Sequence, residues 1–254
     1  MDNWELLKDK QSGTRLAPAA PREGYGDTSE PGHRATRHLC LAAETRRELL
    51  RFWDSRELNK DWVVLNTAEG EYDLGLAHSI TFNLDVSEDR VRSSGRLEAS
   101  SAEALLLVDD SVDTIVCVGG LINYYDAAKV ITEFGRVIRR GGYLLLEFDS
   151  SRSAELVSSR KTFGKSAAVA STSVGAQGGT KWVYSPTYIK NLLCACDFGV
   201  VREAPIHVLP PWARLLTRNA RVAGGLARLD PLAKAVPVLT RWASSHFLVC
   251  RKNI

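Results

Sequence analysis

The stretch Asp109–Ser150, DDSVDTIVCVGGLINYYDAAKVITEFGRVIRRGGYLLLEFDS, decides the fold class of this chain. Its first apolar run, Thr114–Val118, is unbroken and rich in β-branched residues, which is typical of a strand covered on both faces. A second run, Tyr143–Phe148, has the same character. Apolar residues spaced three or four apart predict one buried helical stripe between the runs: Ala127, Val130, Ile131, Phe134, Val137 and Ile138. This order predicts a β-α-β unit of a parallel sheet.

The boundary between this helix and the second strand is predicted from charge and glycine. We expect the helix to extend through Ile138, with Arg139 and Arg140 at its C-terminal end, where positive charge is favoured. Gly141 and Gly142 follow directly and are expected to supply a left-handed stop. The second strand then begins at Tyr143.

Further strands and helices extend the α/β pattern on both sides of this unit. Residues 1–60 predict an N-terminal loop and helical cap, with the helix over 36–58. Strands are predicted at Asp61–Leu65, at Ser79–Leu84, within Ser87–Glu98, from Val200 and at His246–Arg251. A helix is predicted after Ser185 as its N-cap, with Gly199 beyond its end. The domain over residues 61–254 carries insertions at 150–182, where Ser, Gly and Thr predict a hairpin or lid, and at 205–240.

Composition and charge fit one enzyme-sized unit. The 254 residues are 44% hydrophobic, which suffices for a sizeable core. The net charge is only +3, and no basic stripe is interleaved with aromatic residues, so nucleic acid is not an expected partner. No uninterrupted apolar run approaches the roughly 20 residues that span a bilayer, and the charged N-terminus does not resemble a signal peptide. We therefore expect a cytoplasmic protein without an integral membrane segment.

The cysteines indicate neither disulfides nor a metal site. The chain has an odd number of them, and they are scattered through predicted helices and strands: Cys40, Cys117, Cys194, Cys196 and Cys250. Cys194 and Cys196 are separated by one residue, and no second pair completes a zinc site. We expect five reduced thiols, mostly buried.

Four segments, in this order and spacing, resemble the motifs of class I S-adenosylmethionine-dependent methyltransferases. Asp85, within NLDVSEDRV, looks like the acidic residue that ends the second strand of that family. SVDTIVCVGGLINYYD looks like the fourth-strand motif and RVIRRGGYLLLEF like the fifth-strand motif. YSPTYIKNLLCACDFGVV resembles the helix before the sixth strand. The resemblance implies a Rossmann-like α/β fold: a parallel-rich sheet flanked by helices, with an antiparallel last strand and an N-terminal helical cap.

The resemblance also implies S-adenosyl-L-methionine as the cofactor. Asp85 is implied to bind the ribose hydroxyls, because one carboxylate accepts two hydroxyl hydrogen bonds at once. The positions implied to contact the cofactor are Asn66, Ala68, Gly70, Asp85, Val86, Ser101, Ala102, Val118 and Gly119.

The glycine loop departs from the family pattern. The family has Asp or Glu followed by three alternating glycines, whereas Asn66–Tyr72 reads NTAEGEY and keeps one glycine. Glycine permits close backbone approach. We therefore expect Tyr72, at the third glycine position, to crowd or reshape the methionine end of the site.

The loop after the fourth strand is implied to face the transferred methyl group. It contains Gly119, Gly120, Asn123, Tyr124 and Tyr125. Tyr124 or Tyr125 is predicted to orient or deprotonate a substrate hydroxyl, and a packing role stays equally open for both. A further candidate general base is His207, since the ordinary pKa of histidine is near 6.5. A structural role stays open for His207 too, and the reaction requires no metal.

The function implied is methyl transfer to a small molecule, such as a natural product, quinone, sugar or lipid precursor. The acceptor atom (oxygen, nitrogen or carbon) is open, as is a homodimer. The alternative is a methyltransferase-like fold that no longer transfers methyl and serves another reaction or a protein-binding role. A nicotinamide-dependent oxidoreductase would need a Gly-x-Gly-x-x-Gly turn, which Asn66–Tyr72 lacks. An α/β-hydrolase would need a Gly-x-Ser-x-Gly elbow, which does not occur.

Overall fold

The computed structural model describes residues 34–54, 62–67, 80–85, 97–99, 102–172, 179–209, 212 and 229–254. Within 34–43, 80–85 and 97–99, and at 172, 179, 231 and 237, it describes the backbone alone. The predicted N-terminal loop and a large part of the predicted insertion at 205–240 lie outside the described residues.

The described chain alternates strands and helices. The strands are β1 (Val63–Asn66), β2 (Ile80–Asp85), β3 (Leu97–Ala99), β4 (Val112–Cys117), β5 (Ile138–Asp149), β6 (Ala167–Thr172), β7 (Gly179–Tyr184), β8 (Phe198–Ile206) and β9 (Ser245–Lys252). The α-helices are α1 (Arg34–Asp54), α2 (Ala127–Val137), α3 (Pro186–Ala195), α4 (Asp230–Lys234) and α5 (Pro237–Thr240). Short 3-10 helices lie at Leu121–Tyr124 and Ala154–Leu156.

Seven strands form one sheet in the order β3-β2-β1-β4-β5-β9-β8. Neighbours from β3 to β5 are parallel, and β9 runs antiparallel to both β5 and β8. The predicted fold class, a parallel-rich sheet with an antiparallel last strand, is confirmed. Strands β6 and β7 form a separate antiparallel hairpin within the predicted insertion at 150–182.

The two faces of the sheet are covered by different helices. Leu144, Leu146 and Phe148 of β5 are fully buried in the core cluster that contains the apolar stripe of α2. The alternate residues Tyr143 and Leu145 belong to a second cluster, which contains the apolar residues of α1. This alternation follows from the two-residue period of a strand. The N-terminal helix α1 therefore packs along one face of the sheet.

The boundary between α2 and β5 differs from the prediction. Helix α2 ends at Val137, and Ile138 already pairs with Val112 in the sheet. Arg139 and Arg140 therefore lie in the strand, and the prediction that they end the helix was wrong. Gly141 does adopt a left-handed conformation, with φ of 77°. It does so inside β5, where the register with β4 shifts.

We expect the substitution Gly142→Ala to destabilise the protein. A Cβ on Gly142 would lie 2.7 Å from the Asp113 carbonyl oxygen and 2.8 Å from Ile138 Cγ2, closer than non-bonded atoms tolerate. The free energy of unfolding, measured by urea denaturation, should fall by about 2 kcal/mol. Gly199→Ala is the matched control in a strand, because its added Cβ would meet nothing nearer than 3.5 Å. Equal stability losses in both variants would contradict this account of the β4–β5 contact.

The end of α3 also differs from the prediction. Ser185 is the N-cap, and its side chain accepts a hydrogen bond from the Tyr188 amide at 3.2 Å, as predicted. The helix ends at Ala195, and Asp197 adopts the left-handed conformation with φ of 62°. Gly199 lies beyond the helix end, as predicted, but it does not adjoin the helix, because Phe198 and Gly199 already belong to β8.

Cysteine burial is only partly as predicted. Cys117 and Cys250 are buried free thiols, whereas Cys194 is an exposed one. Burial raises the pKa of both buried thiols to about 12, so they are unreactive. Among the described residues, no His, Cys, Asp and Glu side chains cluster as metal ligands. None of the described helices combines the length and the apolar character needed to cross a bilayer.

Candidate functional site

The carboxyl ends of three neighbouring parallel strands meet at one edge of the sheet. Asn66, the last residue of β1, pairs with Asn83 of β2 and with Val116 of β4. Strand β2 continues two residues further and ends at Asp85, which pairs with Ala99 of β3. In open α/β sheets this edge is where ligands bind. The structure thus places Asn66 and Asp85 at the ends of two adjacent parallel strands.

The chain that leaves β1 is anchored to β4. Asn66 is buried, with 3% of its surface exposed. The Thr67 amide and Thr67 Oγ1 both donate to the Val116 carbonyl oxygen, at 2.9 and 3.1 Å. These bonds fix where the loop after β1 begins. The predicted cofactor contacts Ala68 and Gly70, and Tyr72, lie outside the described residues, as do Val86 and Ser101.

A tight turn follows β4 at the same edge. Gly119 and Gly120 both have positive φ, 73° and 75°, a conformation that favours glycine. The Asn123 amide donates to the Gly120 carbonyl oxygen at 3.0 Å and starts the 3-10 helix. Val118 is buried on the α1 side of the sheet. The predicted cofactor contacts Val118 and Gly119 therefore lie at the end of β4, next to the anchored start of the β1 loop.

A buried carboxyl group, which the sequence analysis did not single out, supports this turn. Glu147 of β5 is 1% exposed. Its Oε2 atom accepts from the Gly119 amide at 3.0 Å and from Thr45 Oγ1 of helix α1 at 3.2 Å. Burial raises the pKa of Glu147 to about 7; the nearby Asp149 charge also raises it, and the two hydrogen bonds and Lys181 oppose that rise. The sequence signal was a lone charge inside the apolar run YLLLEF.

Two hydrogen bonds and an ion pair hold the β6–β7 hairpin at the same edge. Asn123 Nδ2 donates to the Trp182 carbonyl oxygen of β7 at 2.7 Å, and Asn123 Oδ1 accepts from the Asp149 amide at 3.0 Å. Lys181 of β7 forms an ion pair with the Asp149 carboxylate. These contacts place the hairpin beside the ends of β4 and β5.

Two of the three predicted catalytic residues lie close to the turn after β4. Tyr124, the last residue of the 3-10 helix, is partly exposed. Tyr125 is 4% exposed and belongs to the α2-side core, and its carbonyl oxygen accepts from Tyr184 Oη at 2.7 Å. Ala102, a predicted cofactor contact, is buried in the same core.

His207 lies in a different part of the edge. It follows β8, which is separated from β4 by β5 and β9. Three strand spacings correspond to about 14 Å along the sheet. His207 is 8% exposed, has a positive φ of 53°, and its carbonyl oxygen accepts from the Ser244 amide at 3.0 Å. The structure does not bring His207 together with Tyr124.

A second polar cluster lies on the α2 side of the sheet, opposite the side that Glu147 occupies. His246 Nδ1 is 2.9 Å from Glu203 Oε1, and Glu203 Oε2 is 2.5 Å from Lys190 Nζ. The hydrogen bond with His246 lowers the pKa of Glu203 to about 2. The ring of His246 stacks on Phe148, with 5.6 Å between centroids. This cluster connects α3, β8 and β9, and it was not predicted from the sequence.

Comparison with known proteins agrees with this geometry. Residues 70–146 match the family model of a methyltransferase domain. This stretch of the chain is therefore similar to a methyltransferase domain. The match covers β2 through most of β5, including Asp85 and the turn after β4. No curated protein matches the chain in sequence.

Solved structures of methyltransferases share the fold of this domain. A methyltransferase from Methanosarcina mazei has a TM-score of 0.54 at 16% identity, over 78% of this chain and 95% of that chain. The 1,6-didemethyltoxoflavin-N1-methyltransferase of Burkholderia thailandensis, with bound 1,6-didemethyltoxoflavin and S-adenosylhomocysteine, has a TM-score of 0.51 at 10% identity, over 87% and 82%. The [4+2]-cyclase SpnF has a TM-score of 0.50 at 15% identity, over 93% and 88%. The predicted fold class is confirmed, and the match over residues 70–146 agrees with the predicted resemblance to methyltransferases.

Proposed function

We propose that this protein is an S-adenosylmethionine-dependent methyltransferase that acts on a small molecule. The observation that carries the proposal is the alignment of β2, β1 and β4, whose carboxyl ends hold Asp85, Asn66 and Gly119 side by side within a methyltransferase domain. This is the edge of an α/β sheet at which cofactors bind.

The residue chemistry at this edge fits the proposed cofactor. S-adenosylmethionine supplies a methyl group from a positively charged sulfur and carries two ribose hydroxyls. Asp85 can accept both hydroxyl hydrogen bonds, and Glu147 and Asp149 add acidic groups at the end of β5. Gly119, which lacks a side chain, leaves room beside the turn. In this proposal Ala68, Gly70, Val86, Ser101 and Ala102 complete the cofactor contacts.

The acceptor side of the site is proposed to lie between the turn after β4 and the β6–β7 hairpin. Tyr124 is the partly exposed tyrosine there, so we assign it the substrate contact. The hairpin would exclude water from the site, and methyl transfer requires this exclusion. A small-molecule acceptor is supported by the Burkholderia enzyme of the same fold, which holds 1,6-didemethyltoxoflavin. Tyr125 and His207 stay secondary candidates, because both side chains are buried.

A second candidate function is another reaction performed on the same fold. The structural likeness to a [4+2]-cyclase favours it, as does the glycine loop, in which Asn66 replaces the usual leading carboxylate. Cofactor binding without methyl transfer to any member of a broad acceptor panel would select this second function over the first.

Calorimetric titration with S-adenosylmethionine and S-adenosylhomocysteine tests the proposal. We expect micromolar binding by the wild type, and a loss of about 10- to 100-fold in Asp85→Ala, which removes charge-assisted hydrogen bonds. Asp54→Ala, at an exposed position on α1, is the control and should bind like the wild type. If Asp85→Ala binds as tightly as the control, the assignment of Asp85 is wrong. No wild-type binding at millimolar ligand would overturn the proposed function.

A further inference from the structure

We propose that Glu147 is a positioning residue of the cofactor site, which holds the Gly119 amide and ties the turn after β4 to helix α1. The inference rests on the proposed function and deepens it, because it assigns a role to a residue that does not itself belong to the predicted cofactor contacts. The contacts of one carboxyl oxygen carry it: Glu147 Oε2 accepts from Gly119 N and from Thr45 Oγ1.

The Gly119 amide is held in a fixed direction by its hydrogen bond to Glu147. Gly119 and Gly120 both adopt a left-handed conformation in this turn. Because glycine also populates other conformations readily, the two residues alone would not fix the shape of the turn. A hydrogen bond from its first amide to a fully buried acceptor on the neighbouring strand selects one conformation. The predicted cofactor contacts Val118 and Gly119 are thereby held in place before any ligand arrives.

The same carboxyl group also contacts the helix that covers this face of the sheet. Thr45 is fully buried on α1, and its hydroxyl group donates to Glu147 Oε2. Leu49, Phe52 and Trp53 of α1 pack on the same face of the sheet. Docking of α1 and the shape of the β4 turn are therefore joined through a single oxygen atom.

Two charged groups act on the Glu147 carboxyl group: Asp149 on its own strand and Lys181 on β7. The Cys117 thiol on β4 also interacts with Glu147, but it is neutral. The charged side chains Glu44 and Glu48 of α1 are paired elsewhere, with Lys234 and with Arg202 and Arg51. On the same face β9 contributes Phe247 and Val249, and β1 contributes Val64 and Asn66.

A consequence is that a cationic ligand favours the ionised form of Glu147. Burial raises the pKa of Glu147 to about 7, so near neutral pH the group is balanced between its two forms. A positively charged sulfur bound beside Gly119 stabilises the carboxylate, which in turn strengthens the bond to the Gly119 amide. Cofactor binding should therefore release protons near pH 7 and tighten as the pH rises from 6 to 8.

The test compares Glu147→Gln with Asp113→Asn. Glutamine keeps an acceptor for Gly119 and removes the charge. Asp113 is the matched control: it is also a buried carboxylate on a strand, and its Oδ2 accepts from the Val63 amide at 2.7 Å, but it lies at the opposite edge of the sheet. S-adenosylmethionine binding is measured by calorimetry from pH 6 to 8, in phosphate and in Tris buffer, which separates proton release from binding heat.

We expect the wild type and Asp113→Asn to bind more tightly as the pH rises and to release protons. Glu147→Gln should bind about tenfold more weakly at pH 8 and release fewer protons, with a flatter pH profile. Thr45→Val should lie between the wild type and Glu147→Gln in both binding affinity and proton release. Identical pH profiles and proton release in the wild type and Glu147→Gln would overturn the inference while leaving the proposed function intact. A wild type that does not bind the cofactor at all would overturn both.

Discussion

Replacement of Asn123 by alanine is expected to free the β6–β7 hairpin and to lower the free energy of unfolding by about 3 kcal/mol. The side chain of Asn123 is fully buried and joins two backbone groups, the Trp182 carbonyl oxygen and the Asp149 amide. Its removal leaves both groups buried without that partner, and each costs about 1–3 kcal/mol. Urea denaturation measures the loss.

Limited proteolysis separates hairpin release from general destabilisation. In Asn123→Ala we expect cleavage within residues 167–184 at denaturant concentrations where the sheet remains folded. Asn191→Ala, at an exposed position on α3, is the control and should change neither stability nor cleavage. An Asn123→Ala variant with wild-type stability and an uncleaved hairpin would show that Asn123 does not fasten the hairpin.

The second large effect is a pH-dependent gain in stability on replacing Glu147 with glutamine. The folded protein holds the proton of Glu147 up to about pH 7, whereas the unfolded chain releases it near pH 4.5. Because the folded state binds more protons in this window, the free energy of unfolding falls as the pH rises from about 4.5 to 7. The loss due to this group is complete above pH 7 and is on the order of 3 kcal/mol.

Glu147→Gln should abolish this decline. We therefore expect the variant to unfold at a higher urea concentration than the wild type at pH 8, and the difference should shrink toward pH 5. Glu203, with a pKa lowered to about 2, acts in the opposite direction and below pH 4.5, so it does not mask the effect. Parallel stability curves for the two proteins between pH 5 and 8 would contradict a neutral, buried Glu147.

Together these results would describe a trade-off at residue 147. The carboxyl group costs stability at neutral pH and holds the β4 turn in the shape proposed for cofactor binding. Functional sites commonly retain groups that the fold alone would not select. Glutamine at this position is expected to improve stability and to weaken binding, a combination that a purely structural residue does not produce.

The sheet was predictable because its strands are encoded locally. Thr114–Val118 and Tyr143–Phe148 are nearly continuous apolar runs, which are typical of strands covered on both faces. The position of Asp85 at the end of β2 was also predictable, because it follows directly on the strand-like run SITFNL. The three-residue error at the end of α2 arose because Ile138 pairs with Val112, a contact 26 residues distant that periodicity does not reveal.

The support of the site was not predictable from the sequence. A lone acid in YLLLEF does not indicate which face it occupies or which donors meet it. Thr45 lies 102 residues from Glu147 in the chain, so only the packing of α1 on the sheet brings them together. The same holds for Asn123, whose implied place near the methyl group gave no hint of its contact with Trp182 on the hairpin.

A crystal structure of the protein grown with S-adenosylhomocysteine tests the central claim most directly. We predict that the ligand lies across the carboxyl ends of β2, β1 and β4, with its ribose hydroxyls on the Asp85 carboxylate and its sulfur beside Gly119. A ligand-free cleft at millimolar S-adenosylhomocysteine, with the Tyr72 side chain filling the methionine end, would contradict the claim and indicate a methyltransferase fold that serves another function.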